Sequence, residues 1–211
     1  MICSVLISVL ESYNIIQRWI LYTNKLAFNR DEFEFIFVDD GSDPPIEIKQ
    51  EPNFFYRLLR REDTRPWTKA IAINKAFKHA SGKYILIFDI DHMLTDEAIN
   101  FIQNGWKKNK LLAFGTIEAE LTDYGTICNV GKKKYCCGAG IRAMKSEEFK
   151  SLGGYDESLI IKNTQSLNLI KRYTNSVGNK QKGPVVGPSI YMYPQEIAQT
   201  FHGLYNKKGD R

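Results

Sequence analysis

The 211-residue chain is poor in cysteine and histidine, and it has no long apolar run. Its four cysteines, Cys3, Cys128, Cys136 and Cys137, form no C-x-x-C pair and no metal-ligand spacing. That excludes a zinc ribbon and gives no sign of a disulfide framework, so free, mostly buried thiols in a reducing compartment are expected. No stretch approaches the roughly 20 apolar residues that cross a bilayer, so no transmembrane segment is predicted. The apolar opening, residues 1–10, lacks a basic flank and a small-residue cleavage site. It is therefore taken as a first strand, and a cytoplasmic location is expected. No internal repeat and no linker interrupt the chain, which predicts a single domain over residues 1–211.

What is present is ordinary for a folded globular protein: 43% hydrophobic, 25% charged and 12% aromatic residues. Disorder is excluded by that balance. The net charge of +5 suits a phosphate-bearing substrate, a nucleic acid or an anionic membrane surface, and does not choose among them.

Residues 83–96 read KYILIFDIDHMLTD. The run from Tyr84 to Phe88 has the length and the β-branched and aromatic content of a central strand covered on both faces. Asp89 and Asp91 follow at its carboxyl end, and Thr95-Asp96 opens a predicted helix. Ligands of open α/β sheets sit outside the carboxyl ends of the strands. Two carboxylates held close there repel each other unless a cation stands between them, and Mg²⁺ or Mn²⁺ suits such oxygen ligands. A D-x-D is short and common, however. The structural alternative is one aspartate capping the next helix and the other solvated.

The rest of the first half is organised in the same way. Strands are predicted over residues 3–9, 33–38 and 54–59, and helices over 13–28, 68–80 and 96–108, with Ser12 or Asn14 capping the first. The second strand also ends in carboxylates, Asp39-Asp40-Gly41-Ser42-Asp43-Pro44-Pro45, which is turn chemistry. The order β-α-β-β-α-β-α argues for a mostly parallel α/β sheet flanked by helices, with residues 1–110 as a nucleotide-binding half. Beyond it the pattern is less regular. Strands are predicted at 111–117, 136–144 and 189–193, with a loop or hairpin over 118–135. A short helix starts at Ser146, a turn spans 153–157, a helix spans 163–176 and a loop spans 179–187. Gly138 and Gly140 suggest close backbone approach.

Taken together, these segments resemble the family 2 glycosyltransferases, which have the GT-A fold, a Rossmann-like sheet with a smaller mixed acceptor-side region. Val38-Asp39-Asp40-Gly41-Ser42 looks like the family's nucleotide-binding turn. Ala72-Ile73-Asn74-Lys75-Ala76 followed by Ala80-Ser81-Gly82-Lys83-Tyr84-Ile85 looks like its A-x-N signature, and Asp89-Ile90-Asp91 falls at its D-x-D. Gly138-Ala139-Gly140 and Gly153-Gly154-Tyr155-Asp156-Glu157 look like its acceptor-side strand and G-G-(F/Y)-D-E turn. The resemblance implies transfer of a sugar from a nucleotide diphosphate donor, expected to be a UDP-sugar, with inversion. Asp39 or Asp40 would accept a hydrogen bond from the base, and Arg65 and Lys69 would meet the diphosphate. Asp89 would sit beside the donor ribose or sugar, and Asp91 would bind Mn²⁺ or Mg²⁺. His202, near the carboxyl end, would complete the metal site. His92 is the alternative ligand, but a continuing strand would put it on the face opposite Asp91. His79, on a helix flank, is taken as structural.

One departure stands out. The family usually carries an acidic pair between the G-G-(F/Y)-D-E turn and a helix ending in arginine, and its second acid deprotonates the acceptor. Aligning Arg172 with that arginine puts Gln165-Ser166 in the acidic positions, and neither is a base near neutral pH. Either Asp156 or Glu157 takes the role from the adjacent turn, or the acceptor is acidic enough to need little help, or the protein binds a nucleotide sugar without turning it over. The resemblance implies a glycan or lipid-linked acceptor, the basic loops also permit a nucleic-acid one, and a homodimer is compatible with such domains. A sugar nucleotidyltransferase is disfavoured, because residues 8–14 (SVLESYN) contain no glycine for a phosphate loop.

Overall fold

The computed structural model describes residues 1–62, 69–106, 111–134, 140–159, 164–176 and 185–194. Its first half contains β1 (Cys3–Val9), α1 (Tyr13–Thr23), β2 (Phe33–Asp39), β3 (Tyr56–Arg60), α2 (Lys69–Lys78), β4 (Tyr84–Asp89), β5 (His92–Met93) and α3 (Asp96–Asn100). Then come β6 (Leu112–Glu118), β7 (Glu120–Leu121), β8 (Ile127–Cys128), β9 (Lys133–Lys134), β10 (Arg142–Lys145), α4 (Ser146–Ser151), α5 (Thr164–Ser176) and β11 (Val185–Met192). One sheet runs β3-β2-β1-β4-β10-β6-β11-β5, with β9 beside β6. The strands β3, β2, β1 and β4 are mutually parallel, as the βα alternation requires. β10 joins β4 antiparallel, and β6 and β11 pair in parallel beyond it. This is an α/β sheet with flanking helices, and the expected hairpin in 118–135 is the small β7–β8 ladder. Among the described residues no helix is long and apolar enough to cross a membrane.

Strand parity sorts the core into two layers. Val5 and Ile7 of β1, Phe33, Phe35 and Phe37 of β2, and Leu86 and Phe88 of β4 pack with α1 and α3. The alternate residues, Leu6, Ile36, Val38, Ile85 and Ile87, pack with α2, Phe149 of α4 and Leu169 of α5. Both faces of these strands are therefore dry, which is why they read as continuous apolar runs rather than as alternating ones. At the amino ends of the strands, the buried Glu34 accepts hydrogen bonds from Ser4 Oγ (2.5 Å), Ser81 N (2.6 Å) and Gly82 N (3.2 Å). That carboxylate holds the turn between α2 and β4.

Several boundaries differ from the expected ones. The first helix stops at Thr23 rather than 28, because Arg30 donates to the carbonyls of Asn24, Leu26 and Phe28 at 3.1–3.3 Å and closes the chain into a turn. Ser12 does not cap that helix; its hydroxyl donates to Leu10 O at 2.9 Å. After α3 the helix widens to a π turn over Phe101–Gly105, closed by Trp106 N–H on Phe101 O at 2.8 Å. This lets Trp106 tilt against Tyr84, with ring centroids 4.9 Å apart. The last strand begins at Val185, inside the predicted loop, with a register shift between Gly187 and Ile190 that accommodates Pro188. Cys3 and Cys128 are free thiols; Cys136 and Cys137 lie outside the described residues.

Candidate active site

The parallel strands end level with one another. Ser8 pairs with Asp89, Val9 with Asp39, and Asp39 with Arg60, so both aspartate segments line one edge of the sheet. β2 and β4 are separated by β1, which puts their backbones about 10 Å apart.

Asp89 shares the parity of Ile85 and Ile87, so its side chain falls on the α2 face. There it forms an ion pair with Lys69 in the first turn of that helix. Lys69 is buried, and its ammonium also donates to Gly140 O at 3.0 Å. Burial opposes its charge, but Asp89, by charge and by hydrogen bond, together with Tyr155 and Asp91 raises the pKa above the ordinary lysine value, so the group is an ammonium. Gly140 is indeed a close backbone approach, since a Cβ there would lie 2.5 Å from Asp89 Oδ2. Gly138 lies outside the described residues.

His92 is not across the strand from Asp91. β4 ends at Asp89, the chain turns at Ile90-Asp91, and strand alternation is lost. His92 Nδ1 lies 2.6 Å from Asp91 Oδ1. Burial works to lower the pKa of this imidazole, but the adjacent Asp91 carboxylate, by charge and by hydrogen bond, raises it on balance. The missed signal is the apolar Met93-Leu94, which must re-enter the core and so demands a turn before it. Each of Asp89, Asp91 and His92 offers one ligand atom, and these atoms lie within 4.8 Å of one another. Ligands of one Mg²⁺ or Mn²⁺ at about 2.1 Å stand up to about 4.2 Å apart. Small side-chain movements would close the group on a cation, and its oxygen-rich composition fits a hard one.

The backbone of this loop is fixed from three sides. Tyr193 N–H donates to Asp91 O (2.9 Å), Trp19 Nε1 to His92 O (2.8 Å) and Tyr22 Oη to Leu94 O (2.5 Å).

The other aspartate segment is already hydrogen-bonded. Asp39 accepts from Ser42 N (2.9 Å) and Ile46 N (3.0 Å), which makes it the brace of its own turn. Asp40 pairs with Arg61 at 2.6 Å, and both carboxylates are only 2% exposed.

On the acceptor side, Gln165 accepts from Ala70 N at 3.1 Å and donates to Leu159 O, so both ends of its amide serve backbone. Ser166 Oγ lies 3.3 Å from Tyr155 Oη. Arg172 donates to Leu152 O and Gly154 O (2.7 Å), tying α5 to the Gly153-Gly154 turn. Asp156 accepts from Ser158 Oγ (2.6 Å) and Ser158 N (3.0 Å), and these bonds hold its carboxyl below the ordinary value. Glu157 accepts from Asn74 Nδ2 at 3.0 Å. Asn74 is five residues past Lys69, about 7.5 Å along α2. There Glu157 lines a cavity of about 280 Å³ with Lys78 and Lys150. The structure thus brings Lys69, Asp89, Asp91 and His92 together, and does not bring Asp156 and Glu157 to them. Arg65 and His202 lie outside the described residues.

Several solved structures share this fold. S. aureus TarS (residues 1–349) superposes with a TM-score of 0.61 at 17% identity, covering 99% of this chain and 65% of that one. TarS in complex with UDP-GlcNAc gives 0.62 at 17% identity, covering 92% and 59%. The mannosyltransferase PcManGT from Pyrobaculum calidifontis, in complex with GDP-Man and Mn²⁺, gives 0.62 at 13% identity, covering 98% and 62%. The chain thus spans about three fifths to two thirds of the length of these three structures, and 39% of a longer TarS structure. The family model described as glycosyl transferase family 2 matches residues 4–129, from β1 through the D-x-D to β8. The chain belongs to glycosyl transferase family 2.

Proposed function

We propose that this chain is a metal-dependent glycosyltransferase that moves a sugar from a nucleoside diphosphate donor, a UDP-sugar, to an acceptor with inversion. The observation that carries the reading is the grouping of Asp89, Asp91 and His92 at the carboxyl end of β4 in a family 2 sheet. The solved relatives named with UDP-GlcNAc and with GDP-Man and Mn²⁺ support the donor class and the cation.

In this reading the turn after β2, braced by Asp39 and with Asp40 held by Arg61, receives the base. Arg65 and Lys69 meet the diphosphate, Asp89 faces the donor ribose or sugar, and Asp91 holds the cation with His92 and His202. When bound, the cation neutralises charge on the diphosphate leaving group. Lys69 keeps Asp89 in one orientation, and the hydrogen bonds from Trp19, Tyr22 and Tyr193 keep the Asp91–Leu94 backbone in place. Asp156 and Glu157 are assigned to holding the turn rather than to proton transfer, because Ser158 and Asn74 engage them away from Lys69.

The engagement of Gln165 and Ser166 with backbone and Tyr155 supports a second reading, a nucleotide-sugar-binding protein without turnover. Calorimetric titration with UDP, with and without Mn²⁺, tests the donor site on the wild type and Asp91→Ala. UDP is expected to bind at least about tenfold more weakly without Mn²⁺ or without Asp91. Equal binding in all cases would remove the cation from the proposal. Turnover of UDP-sugars by the wild type separates the transferase from the binding protein.

A further inference from the structure

We infer that the acceptor nucleophile is an anionic oxygen, that of a phosphate monoester, rather than a neutral hydroxyl. This rests on the transferase reading above and names the substrate class of that site.

A neutral hydroxyl must lose a proton as it attacks, and a positioned base typically contributes 10²–10⁴-fold to such a step. On α5 the side chains in the acidic-pair positions are a glutamine spent on two backbone groups and a serine bonded to Tyr155. The sequence contains no Asp or Glu between Glu157 and Glu196. Asp156 and Glu157 are engaged by Ser158 and Asn74. Among the described residues, the carboxylates grouped at the sheet edge next to Lys69 are Asp89 and Asp91, one paired with that lysine and the other beside His92.

The cation beside them is Lys69, ion-paired with Asp89. The buried Lys69 ammonium reaches the Gly140 carbonyl at the acceptor-side strand. A carboxylate beside such a charge would be a weakened base, whereas an anionic nucleophile would be stabilised. The charge of the chain is divided in the same sense. Residues 1–110 hold fifteen Lys and Arg against fifteen Asp and Glu, and residues 111–211 hold fourteen against nine, so the whole net charge of +5 lies in the acceptor-side half. A field of that sign concentrates anions.

A phosphate monoester, with a second pKa of about 6, is mostly a dianion at neutral pH. Its oxygen attacks the anomeric carbon as the bond from that carbon to the diphosphate oxygen breaks. The electron pair leaves with UDP, and the products are a glycosyl phosphodiester with one negative charge and UDP with three. No proton is taken up or released, whereas transfer to a hydroxyl releases one.

The test uses the full chain with Mn²⁺ and the UDP-sugar it hydrolyses fastest. Dodecyl phosphate, dodecanol, ethyl phosphate and ethanol serve as acceptors, with products read by mass spectrometry and protons by a dye in weak buffer above pH 7.5. A phosphate is expected to be glycosylated at least about tenfold faster than its matching alcohol, without proton release. Preference for the dodecyl over the ethyl ester identifies a lipid source, and the reverse a soluble one. Glycosylated alcohol with proton release overturns the inference and leaves the transferase standing. So does UDP binding in calorimetry with neither phosphate glycosylated above its alcohol, though that leaves only the donor site. Absence of UDP binding removes the donor reading itself and the inference with it.

Discussion

Gly140 lies against the first aspartate of the D-x-D, where an added Cβ would stand 2.5 Å from Asp89 Oδ2 and 3.0 Å from Lys69 Nζ. The carboxylate sits on a short side chain and cannot retreat without leaving the lysine. Gly140→Ala is therefore expected to break the ion pair and leave a buried ammonium short of a partner, at a cost of about 1–3 kcal/mol. UDP affinity should fall with it. Gly153 is the control: its φ is +74°, but nothing lies within 4 Å of its Cβ position. Gly153→Ala should cost only backbone strain, about 1 kcal/mol, and leave UDP binding unchanged. Denaturant melts and calorimetry on both variants check this, and equal effects at the two glycines would refute it. The sequence pointed to Gly140 through its G-A-G context, but not to its neighbour. That Lys69 and Asp89 face each other follows from helix phase and strand parity combined, which neither segment shows alone.

At the scale of elements, α1 supports the loop that follows the D-x-D. Trp19 packs edge-on against Phe35 and Phe37, with centroids 5.5 and 5.6 Å away, and donates to His92 O at 2.8 Å. Trp19→Phe keeps most of the ring burial and removes the hydrogen bond, leaving the His92 carbonyl without that donor. A loss of about 1–3 kcal/mol in stability is expected, with weaker Mn²⁺-dependent UDP binding because Asp91 precedes that carbonyl. Unchanged binding with the stability loss would restrict Trp19 to the core. The strands and helices of the first half were legible because each carries a complete period and ends at a turn residue. The boundaries that moved depend on partners outside the helical period: Arg30 ends α1 through carbonyls, and the π turn closes on Trp106, whose ring packs against Tyr84. The side on which His92 lies has a related cause: strand alternation stops at Asp89, because the chain turns for Met93 and Leu94, both nearly inaccessible, to reach the core.

Across the whole molecule, the two halves inferred from sequence share one sheet and both core layers. β4 pairs directly with β10, placing Ile87 opposite Arg142 and Tyr84 opposite Lys145. The layer under α1 contains Val5 and Phe37 from the first half with Phe114, Ala143 and Ile190 from the second. The layer under α2 joins Ile36 and Ile85 to Met144, Phe149 and Leu169. Separating the halves would strip apolar surface from both sides of the junction and open a row of strand hydrogen bonds, a loss neither half recovers in water. The acceptor side should therefore open together with the donor side rather than as a detachable unit. Native-state hydrogen exchange in rising urea checks this. Amides of β1, β4 and β6 are expected to merge onto one opening free energy with one urea dependence. Exchange of β6 and β11 through a distinctly lower opening than β1 and β4 would show two cooperative units. The position of Lys69 against Gly140 would then depend on how those units dock, because the lysine belongs to α2 in the first half and the carbonyl it holds belongs to the second.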